Sequence, residues 1–552
     1  MPQAPRRVTP LLVTALLPLL SACALHRDTD DTIGLSSTTF FGHLTNQADI
    51  REPSLAEATT VELKVRANED GRVTAVTAPP QAHAYGVDWP QKADDPAVKT
   101  AVDAARRWRL RPLLYRGHPV PTQATVAVRV LPAERWAQPD APFPEVDWSK
   151  LRISLSRDVP FGGQYTVTVV GDGHVVFDSP AQPDMATFTN RALLPRGLFL
   201  PGRHEDSIDP ALVRALVAKF QAARFFGVAP EYKARSRESP FVTLTLDTSN
   251  GSRRVVDYIG RDVGLPQSVK DLEDEVDRIA GTARWTRGTP GVIGWLAATG
   301  FDFKSDMAAV LAVSDYGWNA QATVLEFMNR GLDLEKTSTA DRPRIGPVGI
   351  MLMRQALSKG QTTVFARLMA GGWLARLQPG DADRMFALAG ANCDAGFARA
   401  AVAAGLAVDG PAAGLENGPN GTALITLATR YSCASEQARL DTTAQLLKLG
   451  ADPNRRDEDG RTILFHVHTL DLLELLLSHG ADATLRDPAG NSAALYSQED
   501  AITLRLLEAG ASPEGRDEDG HTLPERAALY TMPATARWLA AHGQTTAPGG
   551  KK

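Results

Sequence analysis

The sequence predicts a multidomain protein: two small α+β domains (antiparallel hairpins with packed helices) followed by an all-α solenoid of helical repeats. Three observations point there. A phrase recurs near the C-terminal end, as RDEDGRT at Arg456–Thr462, RDPAGNS at Arg486–Ser492 and RDEDGHT at Arg516–Thr522, with a period of 30 residues. Upstream, alternating apolar residues flank Asp-Gly and Asn-Gly pairs, the pattern of β-hairpins. The length, 552 residues, exceeds what one domain core ordinarily holds.

The chain opens with a signal-peptide layout over residues 1–22. Arg6 and Arg7 give a basic start, and the apolar run Leu11–Leu20 is too short for a permanent membrane span. Leu20-Ser21-Ala22-Cys23 resembles the lipobox of bacterial lipoproteins. The resemblance implies that Cys23 carries the lipid as first residue of the mature chain. With Ala24 after it, it implies attachment to the outer membrane of a Gram-negative cell, on the periplasmic face. Thr9 and Pro10 speak against a twin-arginine signal. Residues 23–60, polar and containing DTDD and LSST, read as a lipid-anchored tether.

Residues 61–132 form the first α+β domain. Val61, Leu63 and Val65 alternate before an Asp70-Gly71 turn, and Val73 and Val76 continue the hairpin. A helix is expected from about Pro96 to Arg107, then strand, turn and strand through WRLRPLLYRGHPVPTQATVAVRV. The β-β-α-β-β order, with Glu69–Val73, Ala105–Pro112 and Gly117–Val120 at the matching positions, resembles the C-terminal domain of the TonB energy transducer. That resemblance implies a binding module for an envelope partner. A lipid anchor in place of a spanning helix argues against energy transduction.

A proline-rich linker, 133–147, leads to a second mixed domain at 148–288. QYTVTVVGDGHVVFD is a hairpin turning at Asp172-Gly173, and FVTLTLD and RRVVDYIG flank a second turn at Ser249-Asn250-Gly251. Asp209 caps a helix with Pro210 at its first position. Val269, Leu272, Val276 and Ile279 mark one stripe of a last helix near 267–281, and the charges of KDLEDEVDR are assigned to its solvated face. The domain resembles an uncharacterised bacterial envelope family, whose members often place a Cys-Phe-Gly-x-Cys-Pro segment before the hairpin tyrosine. Here Pro160–Tyr165 lacks both cysteines, so no redox or metal role is carried over.

In the repeats, Gly450, Gly480 and Gly510 close apolar stretches (AQLLKLGAD, LELLLSHGAD, LRLLEAGAS) as helix-ending glycines do. Gly300, Gly331, Gly372 and Gly405 are read as further helix ends. Thr422-Ala423-Leu424, Thr462-Ile463-Leu464 and Thr522-Leu523-Pro524 stand where a first helix opens. These features resemble the ankyrin repeat, usually about 33 residues long, over 289–546, degenerate before about residue 420, with a tail at 547–552. The shorter period is assigned to a trimmed segment between the helices. A calcium loop is excluded at the recurring phrase, because its first and twelfth ligands fall on Arg455 and His466, or on Gly515 and Arg526.

No catalytic or cofactor signature stands out: there is no P-loop, dinucleotide fingerprint, nucleophile elbow or H-E-x-x-H. No cofactor and no metal are expected. Lys and Arg number 59 against 64 Asp and Glu, which excludes a nucleic-acid footprint. Cys393 and Cys433 sit in loops of consecutive repeats and form a possible disulfide in an oxidising periplasm; two free thiols are the alternative. The expected function is non-catalytic binding of a periplasmic or envelope protein. Arg456, Glu458, Asp459, Arg461, Arg486, Asn491, Arg516, Glu518 and His521 at the turn tips are the candidate contact residues. The alternatives are an envelope adaptor acting through the TonB-like domain and, third, an enzyme with its site in 148–288.

Overall fold

The computed structural model describes residues 32–84, 87–159, 163–180, 198–235, 239–313, 321–337, 347–389, 393–410, 421–429 and 433–544. Cys23, the signal segment and the tail lie outside them.

The first sheet is built around one long strand. The strands and helices in order are β1 (Ile33–Leu35), α1 (Ser37–His43), β2 (Ile50–Glu52), β3 (Thr59–Ala67), β4 (Val73–Thr77), β5 (Gln81–Ala84), β6 (Val87–Pro90), α2 (Pro96–Ala105), β7 (Leu113–Tyr115), β8 (His118–Val120) and β9 (Thr122–Pro132). The sheet order is β1-β9-β3-β4, and β2 also pairs with β9. Val61, Leu63 and Val65 point into the core while Lys64 and Arg66 face water, the alternation expected of a half-buried strand. Asp95 caps α2 by accepting the Ala97 N–H, and Ala97, Val98, Ala101 and Ala105 are buried.

The expected tether is shorter than 23–60. From Ile33 onward the chain belongs to the domain: β1 lies parallel to β9 with Ile33 opposite Thr122, and Ile33, Phe40 and Ile50 are buried. The polar DTDD and LSST runs hide this, because the apolar residues that insert, Ile33, Leu35, Phe40 and Ile50, are scattered among polar ones. LSST itself supplies the cap of α1, since the Ser36 side chain accepts the Thr39 N–H.

The second domain is a seven-stranded sheet with helices packed on it. Its elements are β10 (Arg152–Val159), β11 (Gly163–Val170), β12 (His174–Asp178), β13 (Arg203–Ser207), α3 (Pro210–Ala222), β14 (Glu231–Lys233), β15 (Phe241–Thr248), β16 (Gly251–Tyr258) and α4 (Gln267–Ala280), in the sheet order β13-β12-β11-β10-β15-β16-β14. Asp209 caps α3 through the Ala211 N–H. Val269, Leu272, Val276 and Ile279 of α4 are buried, as the stripe predicts. The charges of α4 are not all solvated, however. Glu273 is 1% exposed, because its position falls on the flank of the buried stripe, where Lys270 and Asp257 enclose it.

After residue 290 the described residues are helical, and one continuous hydrophobic core runs from Val292 to Leu539. Each expected helix-ending glycine has a positive φ: 75° at Gly300, 91° at Gly331, 75° at Gly372, 95° at Gly405 and 88–98° at Gly450, Gly480 and Gly510. The trimmed segment is not between the helices. In the 30-residue units the first helix shrinks to a single 3₁₀ turn, Ile463–His466 and Ala493–Leu495. The last unit keeps a true helix there, Leu523–Leu529, before Pro533–Ala541.

The two ends of the described chain meet. β1 packs against the helices Asp500–Glu508 and Pro533–Ala541, Thr39 of α1 donates to Glu499 at 2.6 Å, and Ala501 and Ala534 complete the core of the first domain. Tyr115 Oη donates to Glu508 at 2.7 Å, and Arg537 donates to the Thr32 carbonyl at 3.0 Å. The first domain also meets the second through Arg261 and Asp49 (2.6 Å), and the second meets the helical region where Trp295 Nε1 donates to the Glu205 carbonyl at 2.9 Å. The contacts form a closed circuit.

Candidate partner-binding surface

The recurring phrase folds into three turns with the same skeleton. In each, the aspartate accepts the backbone N–H four residues on: Asp457 from Arg461 (2.8 Å), Asp487 from Asn491 (2.8 Å), Asp517 from His521 (2.7 Å). Its second oxygen takes a side chain nine residues on, namely His466 Nε2 at 2.8 Å, Tyr496 Oη at 2.6 Å and Arg526 at 2.5 Å. The aspartates are therefore framework. The sequence carried no signal for their partners, since the ninth position after each aspartate holds His466, Tyr496 and Arg526 in turn.

The arginine before each aspartate braces the same turn from outside. Arg456, Arg486 and Arg516 each donate to the carbonyl four residues on, that of Gly460, of Gly490 (3.0 Å) and of Gly520 (2.6 Å). Arg456 also reaches the Arg486 carbonyl of the next turn at 2.7 Å. All three side chains are exposed, as are Glu458, Asp459 and Glu518 at the tips. These six residues are exposed on turns that are joined in succession, the first to the second through Arg456 and the Arg486 carbonyl and the second to the third through Asn491 and the Arg516 backbone.

Three of the expected contact residues are placed differently. Asn491 is only 5% exposed, because its amide joins neighbouring turns: it donates to the Arg516 carbonyl at 2.9 Å and accepts the Arg516 N–H at 3.2 Å. It is not a contact residue. Arg461 is part-buried, stacked 4.3 Å from the centre of the Tyr496 ring, with Asp487 at 3.8 Å and Glu518 at 3.5 Å. His521 is also part-buried, 3.5 Å from Asp517.

Sequence reasoning missed the aromatic groups beside this edge. Phe465 and Tyr496 lie 5.5 Å apart, and Tyr530 sits under Arg526 at 4.8 Å. All three rings are partly exposed on the first-helix side of the units. Burial raises the Tyr496 hydroxyl above its ordinary range, and its bond to Asp487 adds to this, so it stays a donor at neutral pH.

Asp517, Asp519 and His521 gather ligand atoms within 4.8 Å of one another. Asp517 is already committed: one oxygen accepts from the backbone of Asp519 and His521, and the other faces the Arg526 guanidinium. A cation would have to compete with that arginine for the Asp517 carboxylate. Cys393 and Cys433 are joined as a disulfide, with Cα atoms 5.5 Å apart, within the ordinary reach of a bridge. Among the described residues no helix is long and apolar enough to cross a membrane.

Residues 151–280 match the family model of a domain of unknown function, DUF6438, over the second sheet and α4. No curated protein matches the chain.

Proposed function

We propose that this chain is a non-catalytic lipoprotein of the outer membrane that binds a periplasmic or envelope protein through the turn edge of an ankyrin-type solenoid. One observation carries the reading. Three successive turns, each held by its own aspartate, present Arg456, Arg486, Arg516, Glu458, Asp459 and Glu518 to solvent. Repeat stacks of this kind offer extended surfaces to partners, and charge on the rim steers association. Because the guanidinium groups are tied to nearby carbonyls, little side-chain freedom is lost on binding. The partly exposed Phe465, Tyr496 and Tyr530 supply aromatic area of the type that anchors interfaces. The first domain, with its likeness to the TonB C-terminal domain, serves here as a brace that closes the circuit onto the last repeats.

The test uses the full chain, because cutting before the helical region removes the groups that hold β1. Arg456→Glu, Arg486→Glu and Arg516→Glu are combined, and capture from envelope extracts is compared with the unaltered protein. The expected result is lost capture by a variant that still folds, with a modestly lowered melting temperature, since each arginine gives up a carbonyl hydrogen bond contributing roughly 0.5–1.5 kcal/mol. Association of the unaltered protein slows as salt rises. Undiminished capture by the folded triple variant removes this edge from the binding site.

A further inference from the structure

Between the first sheet and the DUF6438-like domain lies a cavity of about 700 Å³. Small-molecule sites commonly have ~300–1,000 Å³, lie at domain interfaces, and combine apolar walls with a few polar groups. Phe41 and Trp108, with ring centres 6.3 Å apart, form one wall. Ile50 and Val242 add aliphatic surface from the two domains, and Ala127 of β9 leaves the space open. Ion pairs tie the two sides together: Arg129 with Asp262, and Arg261 with Asp49 at 2.6 Å.

The charged groups on the walls are largely paired. Arg129, Arg157, Arg261 and Lys270 line the space with Asp49, Asp257 and Asp262, and Arg157 is held from behind by Asp277 at 2.6 Å. Asp257 is 5% exposed and fully engaged, accepting the Gly260 N–H at 2.6 Å and Lys270 Nζ at 3.0 Å. Lys270 also donates to Glu273 at 2.7 Å. An ammonium has three N–H donors, so a third direction is left for an incoming acceptor. We propose that this cleft binds a small amphipathic anion, its apolar body against Phe41, Trp108 and Val242 and its acid group at Lys270.

A proton accompanies the anion. Glu273 faces Asp257 from β16, Arg157 from β10 and Lys270 from its own helix; burial above all, then the Asp257 charge, pushes its carboxyl up to about 7. A second anion beside Lys270 makes the charged form of Glu273 costlier still, so binding draws a proton onto it. Affinity therefore rises as pH falls through neutrality.

The probe is 1-anilinonaphthalene-8-sulfonate, which remains an anion from pH 6 to pH 8, so that any pH dependence belongs to the protein. Its fluorescence titration on the full chain is expected to show one site bound roughly fivefold tighter at pH 6 than at pH 8. Decanoate displaces it and decylammonium does not. Ala127→Trp fills the cavity and removes the site with the thermal melt retained, and Lys270→Gln weakens it by about tenfold or more. Unaltered binding to the folded Ala127→Trp variant, or equal displacement by decylammonium, overturns the proposal. Neither outcome bears on the turn edge, which lies on other residues.

Discussion

The Asp500 carboxylate accepts the backbone N–H of Gly34 at 2.9 Å, joining residues 466 positions apart. The same buried side chain accepts the N–H groups of Ala534 (2.9 Å) and Thr535 (2.7 Å), so one carboxylate fastens the first strand to the last helix. Replacing Asp500 by Ala leaves three donors without their acceptor and is expected to cost roughly 3 kcal/mol or more. Hydrogen exchange should quicken at Ile33–Leu35 and at the start of the last helix together. Exchange that quickens at only one of them contradicts a shared clasp. Gly34→Ala attacks the same joint sterically, because its Cβ would stand 2.2 Å from the Thr531 carbonyl oxygen.

Cys393 and Cys433 close a loop of 40 residues, for which chain entropy gives roughly 4 kcal/mol of stabilisation. Reduction should lower the melting temperature of the helical region. In a Cys23→Ser background, denatured but unreduced protein should take up no thiol label, and two labels after reduction. Two labels without reductant would exclude the bridge.

Glu273 makes stability fall as pH rises. Its folded carboxyl, near 7, holds a proton that the unfolded one, near 4.5, has released. The favourable contribution is therefore complete below about 4.5 and is lost as pH climbs through 7. Glu273→Gln removes that loss. Urea unfolding at pH 8 should find the variant more stable by roughly 2–3 kcal/mol relative to its difference from the unaltered protein at pH 4.5. A constant difference between the two across that range contradicts the assignment.

Cys23→Ser should leave the protein unprocessed or free in the periplasm, since acylation is the proposed membrane attachment. Fractionation with a labelled fatty acid reads this directly; label and outer-membrane location kept by the variant would end the lipoprotein reading.

The sequence was most legible where local chemistry suffices. The turns at Asp70-Gly71 and Asp172-Gly173, the Asp209 cap and the α4 stripe all depend on residues within one or two turns of each other. What stayed hidden depends on distance. Nothing around Ile33 announces a partner at Thr122, and Asp500 looks like any acidic residue in a helix's first turn. At the candidate edge, the phrase pointed to the right turns but not to the inward-facing members. Asn491 sits at the same position as Arg461 and His521, and only the neighbouring Arg516 backbone decides that it is buried.

The joint between Gly34 and Asp500 also orders events in time. A chain delivered from its N-terminus presents Gly34 early and Asp500 only after some nine-tenths of its length has emerged. Until then the first strand lacks the acceptor for that N–H, and Ala501 and Ala534 have yet to fill the core beneath it. The earliest-made domain is thus the last to be completed, and a chain stopped short at its C-terminal end would be left with an unfinished beginning.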